Sequence, residues 1–120
     1  MRIFKNMRFT RFADKEGITD DELGEAARLL DAGRFSADLG GGVYKMRVAR
    51  PGEGKSGGYR VIVVFRSGQR MFYVYGFAKS QRANIGQKEK RNFKDMARKY
   101  LDLSDVAIGQ AVKAGTLVEV

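Results

Sequence analysis

The 120-residue chain has no cysteine and no histidine. The first absence excludes disulfides and thiolate metal sites. The second removes the commonest general base and the commonest zinc ligand together. Proline occurs once, at Pro51. No apolar run approaches membrane-spanning length, and the opening Met1-Arg2-Ile3-Phe4-Lys5-Asn6 offers no signal-peptide core. The expectation is a cytoplasmic protein with no cofactor, and the length suits one domain over residues 1–120.

Acidic residues are scarce where basic ones are dense. Residues 43–100 hold fifteen Lys/Arg against Glu53, Glu89 and Asp95, whereas residues 1–42 hold seven Lys/Arg and eight Asp/Glu. The formal charge of +9 therefore resides in the central and later chain. Such asymmetry raises the local concentration of anions and is the footprint of a nucleic-acid binder.

Residues 3–5 fit a short edge strand, and Phe9, Phe12 and Ala13 suggest a brief helix. Thr19-Asp20-Asp21-Glu22 forms a capping box, after which Leu23, Ala26, Ala27 and Leu30 recur at helical spacing up to Gly33. Beyond the glycines at 40–42 the period becomes two. Tyr44, Met46 and Val48 alternate with Lys45 and Arg47; residues 50–58 read as a glycine-rich loop; Tyr59–Arg66 and Arg70–Lys79 complete a meander about the turn at Ser67-Gly68-Gln69. Tyr73 and Tyr75 could stack on bases, but alternation puts both on one face with Met71 and Phe77, which reads as core packing against a helix. Asn84 can cap a long helix with Ile85, Phe93, Met96, Ala97, Tyr100 and Leu101 on one side and six Lys/Arg on the other. A last helix starts at Ser104, and the apolar tail 116–120 can dock as an extended segment. The expected class is α+β: a small antiparallel sheet of three to four strands packed with N-terminal and C-terminal helices.

Lys45 and Arg47 leave the same face of their strand. Arg60 opens the neighbouring strand, and Lys79 and Arg82 follow the third. Five cations are thus expected at one end of one sheet face. They repel one another with few acids nearby, and a phosphate would relieve that repulsion. Lys55 and the amides of Gly54–Gly58 could add donors to the same anion. The plain alternative is a solvated face on which alternation alone gathers Lys and Arg.

Three segments, Val43-Tyr44-Lys45-Met46-Arg47-Val48, Gly57-Gly58-Tyr59-Arg60-Val61-Ile62 and Gly76-Phe77-Ala78-Lys79 followed by Arg82, resemble in order and spacing the core of RelE/HigB-type toxins. The resemblance covers residues 36–101. It implies a microbial-RNase-like fold and a toxin that cleaves mRNA, typically in the ribosomal A site, until a cognate antitoxin (helix-turn-helix or acidic amphipathic) blocks it. By the same resemblance, Lys45 is tied to activating the ribose 2′-hydroxyl, Arg60 to gripping the scissile phosphate, and Arg82 to stabilising the transition state. Arg47, Lys55 and Lys79 would hold RNA. Some relatives carry a catalytic tyrosine four residues beyond the second arginine; here that register falls on Gly86.

RNA supplies its own nucleophile, so positioning and electrostatics can carry much of the rate without metal. With histidine absent, the base must be an amine, a phenol or a carboxylate. Lys45, crowded by Arg47 and Arg60, should have a lowered pKa, whereas Arg stays protonated. Glu89 is the fallback acid–base group, its plainer role being a helix-surface charge paired with a neighbouring Lys. Two other readings stand beside the ribonuclease: a ParE-type toxin that poisons DNA gyrase, and a non-catalytic RNA-binding module. The helix Thr19–Gly33 and the tail residues Leu117, Val118 and Val120 are the expected docking surfaces for the antitoxin.

Overall fold

The computed structural model describes the backbone of residues 1–50 and 54–120 and the side chains of 1–49 and 58–120. In chain order the elements are β1 (Arg2–Asn6), α1 (Met7–Glu16), α2 (Asp20–Asp31), β2 (Ala37–Gly40), β3 (Val43–Arg50), β4 (Gly54–Phe65), β5 (Arg70–Ala78), α3 (Gln87–Leu101), α4 (Asp105–Ala114) and β6 (Leu117–Glu119). The class is α+β as expected, but the sheet has six strands in the order β2-β3-β4-β5-β1-β6 and is mixed, because β1 runs parallel to β5.

The additional strands explain the departure from three or four. β2 and β6 have four and three residues, too few to show a period of two. β1 is not an edge strand: β6 covers its outer side, pairing Asn6 with Leu117 and Lys5 with Val118. The tail is consequently part of the fold. Leu117 is buried, which removes it from the expected docking surface.

Each sheet face has its own core. Met46, Val48, Tyr59, Val61, Val63, Met71 and Tyr73 pack with α1 and α2, led by Phe9, Leu23, Ala27 and Leu30. Val43, Ile62, Val64, Phe72, Val74 and Phe77 pack with α3 and α4, led by Phe93, Ala97, Leu101 and Ile108. The capping box on α2 forms as expected: the Glu22 N–H donates to Thr19 Oγ1 at 3.2 Å, and Glu22 Oε1 accepts from the Thr19 N–H at 3.3 Å.

One irregularity decides where the aromatics go. Ile62 faces Tyr75 and Val63 faces Tyr73 across the β4–β5 ladder, leaving Val74 as an extra residue. This β-bulge reverses the alternation beyond it. Tyr73 points into the α1–α2 core and donates its hydroxyl to the Leu23 carbonyl at 2.6 Å. Tyr75 and Phe77 belong to the opposite face, that of α3. The expected shared face for Tyr73 and Tyr75 is thus corrected. Buried Asn6 secures the bulge: its Nδ2 donates to the Val74 carbonyl (3.2 Å) while its Oδ1 accepts from the Phe9 N–H (2.8 Å), capping α1.

Gly76, just after the bulge, lies against the ring of Phe12. A Cβ there would stand 2.3 Å from Phe12 Cε2, and Phe12 is itself held edge-on to Tyr59 at 5.6 Å. Gly76→Ala is expected to destabilise the protein by about 1–3 kcal/mol, the usual cost of overpacking. Urea unfolding measures it, and an unchanged midpoint would show that Phe12 swings aside freely.

Candidate active site on the α3 face of the sheet

Register places the sequence-singled cations in rows on one face. Lys45 pairs with Ile62, which pairs with Tyr75; Arg47 pairs with Arg60, which pairs with Phe77. Neighbouring strands lie about 4.8 Å apart, so Arg47 and Arg60 are direct cross-strand neighbours of like charge. Arg47 is exposed and Lys45 half-buried. Arg60 is only 6% exposed, so it does not fit the plain alternative of a solvated face. Arg60 shares the α3 side of β4 with Ile62, which is fully buried.

Burial and charge act together on Lys45. Desolvation first, then Arg60, Lys90 and Arg47, push its pKa below the ordinary lysine value. The expectation of a lowered value holds, but burial ranks ahead of the neighbouring arginines as its cause. Arg60 is pulled down in the same way, by burial and then by Arg47, yet a guanidinium remains charged at any physiological pH.

Arg82 stands in a second group. Its Nη1 and Nη2 donate to Glu89 Oε2 (3.1 Å) and Oε1 (2.6 Å), its Nη1 also donates to the Tyr75 hydroxyl (3.1 Å), and its Nε donates to the Asn84 carbonyl (3.0 Å). Glu89 therefore pairs with Arg82 rather than with a neighbouring lysine, and Arg82 holds its carboxyl below the usual glutamate range. Arg8, from the first turn of α1, places its guanidinium carbon 4.4 Å from the centroid of the Tyr75 ring.

Asn84 joins the two groups. Its backbone carbonyl accepts from Arg82, and its Oδ1 accepts from Lys45 Nζ at 3.4 Å and from the Ile85 N–H at 2.9 Å. It is not the cap of α3. That position belongs to Gly86, whose N–H donates to Glu89 Oε1 at 2.9 Å. The Gly86 register, where some relatives carry a tyrosine, is here the start of a helix.

Lys45, Arg47 and Arg60 thus come together as expected, and Arg82 is one residue away through Asn84. Lys79 lies at the margin: it is exposed, and its backbone N–H donates to the Gly58 carbonyl at 3.3 Å. Gly54–Gly58 belong to β4 rather than to a loop of free amides. The side chain of Lys55 lies outside the described residues. Sequence reasoning missed Arg8, Asn84 and Tyr75 as members of the site. Arg8 reaches it only through the β1–α1 corner, and Tyr75 only through the bulge. The one available signal was the unbroken apolar run Met71–Tyr75, which fits no strict alternation.

Among the described residues, no helix is long and apolar enough to cross a membrane. No curated protein matches the chain closely enough to count as a relative. A family model described as the RelE toxin of the RelE/RelB toxin–antitoxin system matches residues 1–120. With a match over that whole length, the chain belongs to the RelE family of toxins from toxin–antitoxin systems.

Proposed function

We propose that this toxin, one domain over residues 1–120, is a metal-independent endoribonuclease that cuts messenger RNA on the ribosome in the cytoplasm. The observation that carries the reading is the cluster itself: a half-buried lysine with a lowered pKa stands two residues from Arg47 on β3, and Arg47 pairs with Arg60 on β4. Lys45 takes the proton of the 2′-hydroxyl, Arg60 grips the scissile phosphate, and Arg82 offers charge to the phosphorane through the part of its guanidinium not spent on Glu89. Arg47, Lys55 and Lys79 hold the flanking backbone of the RNA. Incubation with translating ribosomes followed by mapping of mRNA ends tests this. Internal ends should accumulate with the native chain and vanish with Lys45→Ala/Arg60→Ala. Their absence with the native chain would leave a gyrase poison or a non-catalytic RNA binder as the account.

The cognate antitoxin docks on the α1–α2 face, at the part of β3 that carries Arg47. Between α2 and β3 runs a groove of about 280 Å³ lined by Ala26, Leu29, Val48 and Ala49, together with Asp21, Glu22 and Glu25 from α2 and Arg47 from β3. Its acidic residues repel RNA. The groove suits a protein segment that inserts an apolar side chain and sets basic neighbours against the acids. Such a segment covers Arg47 and so competes with RNA. Leu29→Glu should give a chain that still arrests growth but is no longer rescued by co-expressed antitoxin; full rescue would move the interface elsewhere.

A further inference from the structure

Resting on the ribonuclease reading, we propose that Tyr75 is the proton donor to the leaving 5′-oxygen. Cleavage by the 2′-hydroxyl needs two proton transfers. The O2′ proton passes to Lys45 as the O2′–P bond forms. The P–O5′ bond then breaks, and the departing oxygen takes a proton from the Tyr75 phenol. The products are a 2′,3′-cyclic phosphate and a 5′-hydroxyl. The phenolate recovers its proton from water, and the Lys45 ammonium returns one to water, so the enzyme is unchanged.

Three observations support the assignment. The first is position. Lys45, Ile62 and Tyr75 form one row across three strands, so acid and base rise from the same face about 10 Å apart at the backbone. Long side chains reaching inward from that separation can meet the two sides of one phosphodiester. Asn84, bonded both to Lys45 and to Arg82, ties the two ends of this row together.

The second is hydrogen-bond polarity. Arg82 Nη1 donates to the Tyr75 hydroxyl oxygen at 3.1 Å, and a guanidinium has no lone pair to accept in return. The contact fixes the phenol while leaving its own proton to be given away. Arg82 at the hydroxyl and Arg8 over the ring place two cations against the phenol that becomes negative when the proton leaves.

The third is elimination among the neighbours. Arg82 and Arg8 cannot release a proton in practice. Glu89, bonded to Arg82 and to the Gly86 N–H, is held as a carboxylate and has no proton to give at neutral pH. Gly86 offers no side chain. Arg82 and Glu89 are on this account positioning residues for the phenol.

Tyr75→Phe keeps the ring and its packing and removes the hydroxyl, with its proton and its hydrogen bond from Arg82. The test compares native and Tyr75→Phe chains on ribosome-bound synthetic messengers, with either oxygen or bridging sulfur at the 5′ position of the bond that end mapping shows to be cut. A thiolate leaves without protonation. On the oxygen linkage the variant should be slower by about 10²-fold or more, in the range of general acid catalysis; on the sulfur linkage the two chains should cut alike. An equal deficit on both linkages, or none on the oxygen linkage, would overturn the role of Tyr75. Failure of the native chain to cut either messenger would instead overturn the ribonuclease reading, and this assignment with it.

Discussion

Arg60→Ala should abolish growth inhibition in induced cells. A phosphate held by a planar fork loses two charge-assisted hydrogen bonds at once, and the remaining cations, exposed Arg47 and half-buried Lys45, stand on β3 rather than in the place of Arg60 on β4. The burial of Arg60 complicates the experiment, because truncating a side chain that is only 6% exposed also leaves a void. Arg60→Met is therefore the companion variant: it keeps much of the stem volume without the fork. Both variants should be non-toxic, and Arg60→Met should unfold within a few degrees of the native chain. Arg60→Lys should restore toxicity only in part, since a point charge cannot bind in bidentate fashion. A folded, fully toxic Arg60→Met protein would remove Arg60 from the site.

The α+β class, the α2 capping box, the meander and the cation-bearing face were all legible in the sequence, because each rests on a local signal of period or charge. Alternation alone put Lys45 and Arg47 on one face, whereas the register that sets Arg47 against Arg60 came from the strand pairing. What was not legible depends on long-range pairing. The parallel joining of β1 to β5 brings Arg2 opposite Arg70, and nothing in either short segment announces it. It nevertheless places the first turn of α1, with Arg8, over the β5 end of the site. The bulge at Val74 is equally silent. Its carbonyl is held by Asn6, 68 residues earlier in the chain, so the residue that turns Tyr75 toward the α3 face is remote from it in sequence. Arg82 was found by motif, but its bidentate partner Glu89 was read as a helix-surface charge. Seven residues separate them, spanning the end of one element and the first turn of another.

Lys45→Ala should slow RNA cleavage by about 10²–10⁴-fold, the usual scale for loss of a general base, and should change the form of the pH–rate profile. A base works only when neutral. In the folded protein the ammonium form of Lys45 is disfavoured, chiefly by burial and further by Arg60 on β4, Lys90 on α3 and Arg47 on its own strand. The neutral amine is thus populated at lower pH than for a solvated lysine. The native rate should climb with pH through a region below the ordinary lysine range and then level off, and Lys45→Ala should lose that climb. Lys45→Arg tests whether charge alone suffices. It retains a cation within reach of Asn84 but cannot accept a proton, so it should be as slow as the alanine variant. Lys90→Gln removes one neighbouring cation and leaves the burial intact, so the inflection should move upward only modestly. The same physics sets the sign for stability. An ammonium disfavoured in the fold costs stability at neutral pH, and that cost fades as pH rises through the lowered pKa toward the unfolded value. Lys45→Met, which removes the charge and keeps the chain length, should unfold at the native temperature or above it while being inactive. A gain or hold in stability with loss of cleavage is the signature of a group strained for chemistry. A Lys45→Met protein that unfolds well below the native one would point to a structural lysine, and an unaltered pH profile in Lys45→Ala would place the base elsewhere.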